Sequence, residues 1–102
     1  MTITELDTNA MRDFTKGFEY ASDRYRRVFS RWLPLEAIDA VLEDWSEPWN
    51  LPNASPRDWA PRKGETFEQA GIRWFIDHDT LICCQIRYEA DYRAECHKES
   101  AV

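Results

Sequence analysis

Glycine is nearly missing: three copies in 102 residues, at Gly17, Gly64 and Gly71. Gly-rich phosphate-cradling loops are thereby excluded, and neither a GxGxxG nor a Walker pattern occurs. Cysteine is also scarce, and its three copies, Cys83, Cys84 and Cys96, cannot pair off evenly. That excludes a disulfide framework as the main support and fits reduced thiols in a cytoplasmic protein. Basic charge is in deficit, with 13 Lys and Arg against 19 Asp and Glu and a net charge of −6. A grip on phosphate backbones needs a net basic face, so no direct nucleic-acid contact is expected. No apolar run approaches the ~20 residues of a membrane span. The opening Met1-Thr2-Ile3-Thr4-Glu5 lacks the basic-then-apolar order of a signal peptide. A soluble protein without membrane contact is expected.

Aromatic residues, by contrast, are plentiful: five Trp, five Phe and four Tyr. Disordered chains are aromatic-poor, so an ordered globule is expected, with residues 1–102 as a single domain. Met11, Phe14, Phe18, Ala21, Tyr25, Val28 and Trp32 recur at alternating spacings of three and four, which predicts a long amphipathic helix. It should start between Thr4 and Thr8, where capping residues cluster, and run to about Trp32. Pro34 stops it and can open a second, shorter helix. Leu35, Ile38, Val41 or Leu42, and Trp45 form the apolar side of that helix; Glu36, Asp39, Glu43 and Glu47 form an acidic one. Residues 1–45 thus read as the helical part.

Residues 46–65 hold Pro48, Pro52, Pro56 and Pro61 together with Trp49 and Trp59. A connector this long is uncommon unless it is functional or packed by its own side chains, and two indole rings predict an ordered strap across the core. Beyond it, Ile82, Cys84, Ile86, Tyr88, Ala90, Tyr92, Ala94 and Cys96 alternate with polar residues. A period of two suits a strand with one buried face. Ile72, Trp74 and Ile76 alternate similarly, and Asp77-His78-Asp79-Thr80 supplies turn chemistry. An antiparallel hairpin over 66–98 is the expectation, followed by a tail at 99–102. A rival signal is helical: Thr66-Phe67-Glu68-Gln69 fits a capping box, and 89–95 is rich in helix formers. The fold expected is therefore α+β, with two helices packed on a β-hairpin, and an all-α helical bundle is the alternative.

Chemistry is thinly signalled. Asp77, His78 and Asp79 at the expected turn, with Cys83, Cys84, Cys96 and His97 nearby, lack CxxC or HxxxH spacing, so no metal is expected. Adjacent Cys96 and His97 point apart on a strand, and His78 flanked by carboxylates is common in turns without catalysis. No catalytic residue and no cofactor is assigned. Trp45, Trp49 and Trp59, with Arg57 and Arg62 beside them, form the better candidate, because large aromatics and Arg dominate binding hot spots. The acidic face of Glu36, Asp39, Glu43 and Glu47 is the second candidate, as a dock for a basic patch or an imitation of nucleic-acid phosphates. A hairpin alone leaves open edges, which predicts a homodimer with Phe14, Phe18 and Tyr25 as interface candidates. No family is recognised, although the composition is of a kind met in small acidic proteins of mobile elements. The function expected is that of a non-catalytic regulatory protein acting through contact with another protein. The alternatives are a ligand-binding or catalytic domain with an aromatic pocket at the strap, and an acidic inhibitor that mimics nucleic acid.

Overall fold

The computed structural model describes residues 8–100 apart from residue 53, with side chains described up to residue 96. Helix α1 spans Thr8–Phe29 and α2 spans Leu35–Trp45. A 3-10 turn at Pro48–Asn50 and the short helix α3, Pro56–Trp59, lie in the strap, and α4 runs over Phe67–Ser100. Among the described residues there is no strand, so the architecture is a helical bundle and the α+β expectation is corrected.

Helix α1 follows its apolar stripe, with Phe14 and Phe18 fully buried and Arg26 and Arg27 in the last turn, where cations suit the helix dipole. It ends at Phe29 rather than Trp32, because Pro34 disfavours helical geometry at the residue before it. Turns carry the chain on, Ser30 N–H donating to the Arg26 carbonyl and Leu33 N–H to that of Phe29. Pro34 stands just before α2 and its carbonyl accepts from Ala37 and Ile38, which starts the new helix without delay. The two helices are antiparallel: Thr15 Oγ1 donates to the Ser46 carbonyl at 3.2 Å near one end. Near the other, Arg26 grips Asp39 at 2.7 Å.

Helix α4 runs parallel to α1. Phe18 meets Phe75 edge to face at 5.5 Å between ring centroids, and Tyr25 further along packs beside Phe75 and Cys83. The crossing is set by two glycines. A Cβ on Gly17 would collide with the Glu68 carbonyl, its carbon only 2.8 Å away, and a Cβ on Gly71 would lie 2.9 Å from Phe18 N and on the Phe14 carbonyl oxygen. Backbone therefore rests on backbone, closer than any larger residue allows.

The expected hairpin over 66–98 is α4 instead, and the residues show why. Ile82, Ile86 and Ala90, at i, i+4 and i+8, form one buried helical stripe. Cys84 and Tyr88, offset by two, face solvent together with Tyr92 and Cys96. A period-two run contains two interleaved period-four series, and here only one of them is core. The capping box at the start is real: Thr66 N–H donates to Gln69 Oε1 at 2.9 Å, and Gln69 N–H to Thr66 Oγ1 at 3.1 Å. With no strand among the described residues, the sheet-edge argument for a homodimer loses its premise. Phe14 and Phe18 lie inside the chain's own core, and Tyr25 packs on Phe29 and Phe75.

Candidate binding site between α2, the strap and α4

The strap is ordered by two devices. Ser55 and Asp58 form a capping box around α3, Ser55 Oγ accepting from Arg57 N–H and Asp58 accepting from Ser55 N–H. Arg73 of α4 then pins the following segment. Its guanidinium holds both Glu65 carboxylate oxygens at 3.0–3.2 Å and donates to the carbonyls of Asp58 and Ala60, each at 3.1 Å. The Arg73 hydrogen bonds hold the Glu65 carboxyl below its ordinary value, and Glu65 in turn raises Arg73. Gly64, at φ +82°, makes the left-handed turn that returns the chain to Glu65.

Fixing the strap builds a pocket of about 320 Å³. Its floor is aromatic: Trp45 from the end of α2, with Trp74 and His78 one turn apart on α4. The Trp74 indole donates to the Trp45 carbonyl at 2.8 Å, and the Trp45 indole donates to Gln85 Oε1 at 2.8 Å. His78 packs against Trp74 with 4.0 Å between ring centroids and the planes tilted by 44°, and its ring centroid lies 5.4 Å from that of Trp45. Leu51, Pro52 and Ala54 of the strap close one side, with Leu81, Gln85 and Asp58 completing the wall. Both indole N–H groups are thus satisfied within the protein, so the rings are locked in place before any ligand arrives.

Two polar handles remain at this wall. The His78 Nδ1 lies 2.9 Å from the Trp74 carbonyl, a pairing that requires Nδ1 to carry the proton and leaves Nε2 as an acceptor in the neutral ring. Gln85 uses its oxygen for Trp45 and keeps its amide N–H groups as donors. The Asp58 carboxylate accepts from Ser55 N–H in the α3 cap, and among the described residues no hydrogen bond joins it to His78. Among the described residues no Ser, Thr, Cys or Lys lines the pocket, and an apolar or aromatic group held by one donor and one acceptor is what it can take.

The residues singled out from the sequence fall in different places. Trp45 is in the pocket. Trp59 is buried against Phe14 and Trp49, at 6.2 and 5.8 Å between ring centroids, and Trp49 is half-buried beside them. Arg57 and Arg62 are exposed and outside the pocket wall. Asp39 and Glu43 line an open groove of about 380 Å³ between α1 and α2, together with Glu19, Asp23 and Arg26. Glu36 is exposed outside that groove, and Glu47 accepts from the Asn50 amide at 3.1 Å. Among the described residues no three His, Cys, Asp or Glu side chains converge on a metal position, and the His97 side chain lies outside the described residues.

Sequence reasoning missed Trp74, Leu81 and Gln85, and placed His78 in a turn. Read as a helix, the series Trp74, His78, Leu81, Gln85, Tyr88, Tyr92 advances by four and three alternately, so one continuous seam was on view. Against protein-family models, curated proteins and solved structures, the chain shows no match. No described helix is long and apolar enough to cross a membrane.

Proposed function

We propose that the protein is a non-catalytic binding module that takes a small apolar or aromatic group into the Trp45–Trp74–His78 pocket. The observation that carries this reading is the pre-locked aromatic floor, with both indole N–H groups already bonded and the strap held over it by Arg73. A pocket of about 320 Å³ is at the small end of ligand sites, and suits a side chain or a one- to two-ring molecule. Among the described residues the wall carries no Ser, Thr, Cys or Lys, and no carboxylate hydrogen-bonds His78, which favours binding over catalysis. A cytoplasmic setting belongs to the same reading, on the odd number of cysteines.

Indole and phenol are suitable probes, followed by proton–nitrogen correlation spectra of the full chain. Saturable shifts are expected at the indole N–H of Trp45 and Trp74 and at the Gln85 amide, with none at Trp59. A Leu81→Glu variant should weaken them at least tenfold. Shifts absent at millimolar probe, or unchanged in that variant, would remove the proposal.

A further inference from the structure

The seam that begins at the pocket does not end there. Beyond Gln85 it continues along α4 through Tyr88 and Tyr92, which are 74% and 59% exposed, and Leu81 between the two regions is 49% exposed. Among the described side chains the last buried one of α4 is Ala90, on a different face, and all of 91–96 is exposed. Tyr88, Asp91, Tyr92, Glu95 and Cys96 together line a shallow groove of about 380 Å³. Large aromatic side chains in register on a projecting helix are costly to leave wet, and two concavities in line on one helix face form an extended docking track.

Charge selects the occupant. Asp91 and Glu95 edge the tyrosine groove, and neither has an ion-pair partner among the described residues. Arg93, the nearest cation in sequence, is committed to Glu89 at 2.8 Å. A second copy of this chain would bring the same two carboxylates to the seam and bring another net charge of −6. Like charges facing one another across a helix seam are unfavourable, so self-pairing on this face is opposed. A basic helix meets both demands, since Lys or Arg can pair with the carboxylates and lie over the tyrosine faces.

We infer that α4 is the docking surface for a basic amphipathic helix of another protein, seated along Leu81, Tyr88 and Tyr92 with its cations on Asp91 and Glu95. The inference rests on the pocket reading only for the first anchor, an apolar side chain entering beside His78. The track from His78 to Tyr92 is about 21 Å long, the reach of about 14 helical residues at ~1.5 Å each.

The probe is a fluorescent 18-residue designed helix with Leu at i, i+3, i+7 and i+10 and Lys flanking that stripe. Its controls are the same peptide with Glu for Lys, and a scrambled peptide of identical composition. Fluorescence anisotropy with the full chain should show saturable binding of the Lys peptide at least tenfold tighter than of either control, weakening with salt. Asp91→Lys/Glu95→Lys and Tyr88→Ser/Tyr92→Ser should each lower affinity at least tenfold while leaving the indole shifts of Trp45 and Trp74 intact. These positions are exposed, and an unchanged circular dichroism melt verifies that the variants fold. Equal binding of all three peptides, or no effect of either double variant, would overturn the inference. So would light scattering that shows a dimer which Tyr88→Ser/Tyr92→Ser dissociates. Loss of the indole and phenol shifts with retention of the tyrosine-dependent peptide binding would sink the pocket reading alone.

Discussion

Gly17 of α1 and Gly71 of α4 interlock: each sits where the backbone of the other helix would occupy the space of a Cβ, Gly17 against Glu68 and Gly71 against Phe14 and Phe18. Two effects of opposite sign then compete at each position. Alanine in place of a mid-helix glycine gains about 1 kcal/mol in propensity. Here it also drives a methyl into a main-chain carbonyl, which cannot swing aside as a flexible side chain can, and overpacking of that kind costs about 1–3 kcal/mol or more. With the clash at its upper range, we expect Gly17→Ala and Gly71→Ala each to lower stability by a net ~2 kcal/mol in urea unfolding. An increase in stability for either would mean that the crossing is looser than described.

The strap's attachment is charge-dependent. Arg73 and Glu65 are mostly buried, with side chains 14% and 17% exposed, and the carboxyl is held below its ordinary value by the guanidinium. A carboxyl depressed in the folded state stabilises the fold above its unfolded pKa, near 4.3, and that contribution disappears as pH falls through the folded value. We expect Glu65→Gln to cost about 1.5–3 kcal/mol at neutral pH, the range for a charge-assisted hydrogen bond. The gap between the variant and the parent should close on acidification below about pH 4. A gap that persists undiminished at pH 3 would assign the loss to packing instead. The same variant should weaken indole binding, because the freed strap carries Leu51, Pro52 and Ala54.

Legibility in the sequence followed the strength of each local signal. Phe14, Phe18, Ile38 and Trp45 stand on the apolar stripes that the spacing predicts for two helices, and all four are buried, Phe14 and Phe18 in the chain's own core although they were also interface candidates. Period-two and period-four readings of 82–96 share every even-numbered residue, so only burial separates them. The capping box at Thr66–Gln69 and the helix formers of 89–95 pointed to the helix, and they competed with a longer run of alternation. Pocket residues such as Trp74 and Gln85 come together with Trp45 only when α2 and α4 pack side by side. Their mutual hydrogen bonds span 29 and 40 residues of chain and leave no local trace.

That ambiguity can be tested at two positions separated by two residues. Ile86 is fully buried and Tyr88 is 74% exposed, whereas a strand with one buried face would bury both. Ile86→Ala should cost about 2–4 kcal/mol through lost burial and the cavity left behind. Tyr88→Ala should change stability by less than about 0.5 kcal/mol, as surface substitutions usually do. Comparable losses at the two positions in thermal unfolding would contradict the assigned face of α4.

Tyr25 offers a prediction at the opposite end of the pH scale. Its hydroxyl is buried in the α1–α4 seam, without an oxygen or nitrogen partner among the described residues and with the Cys83 thiol as neighbour. Burial pushes its ionisation up, with the Cys83 contact adding to the effect. The sign follows directly: an unfolded tyrosine releases its proton near pH 10 while the folded one holds on, so the unfolded state is favoured as pH rises past 10. Phenylalanine keeps the ring contacts with Phe29 and Phe75, at 4.2 and 5.6 Å between centroids, and removes the ionisable group. We expect Tyr25→Phe to lie within about 1 kcal/mol of the parent at pH 7, because a poorly satisfied buried hydroxyl contributes little. Above pH 10 the variant should become the more stable of the two, in urea unfolding followed from pH 7 to 11. A variant that loses stability in parallel with the parent up to pH 11 would show that the Tyr25 hydroxyl reaches water, and that the α1–α4 seam is open at its level.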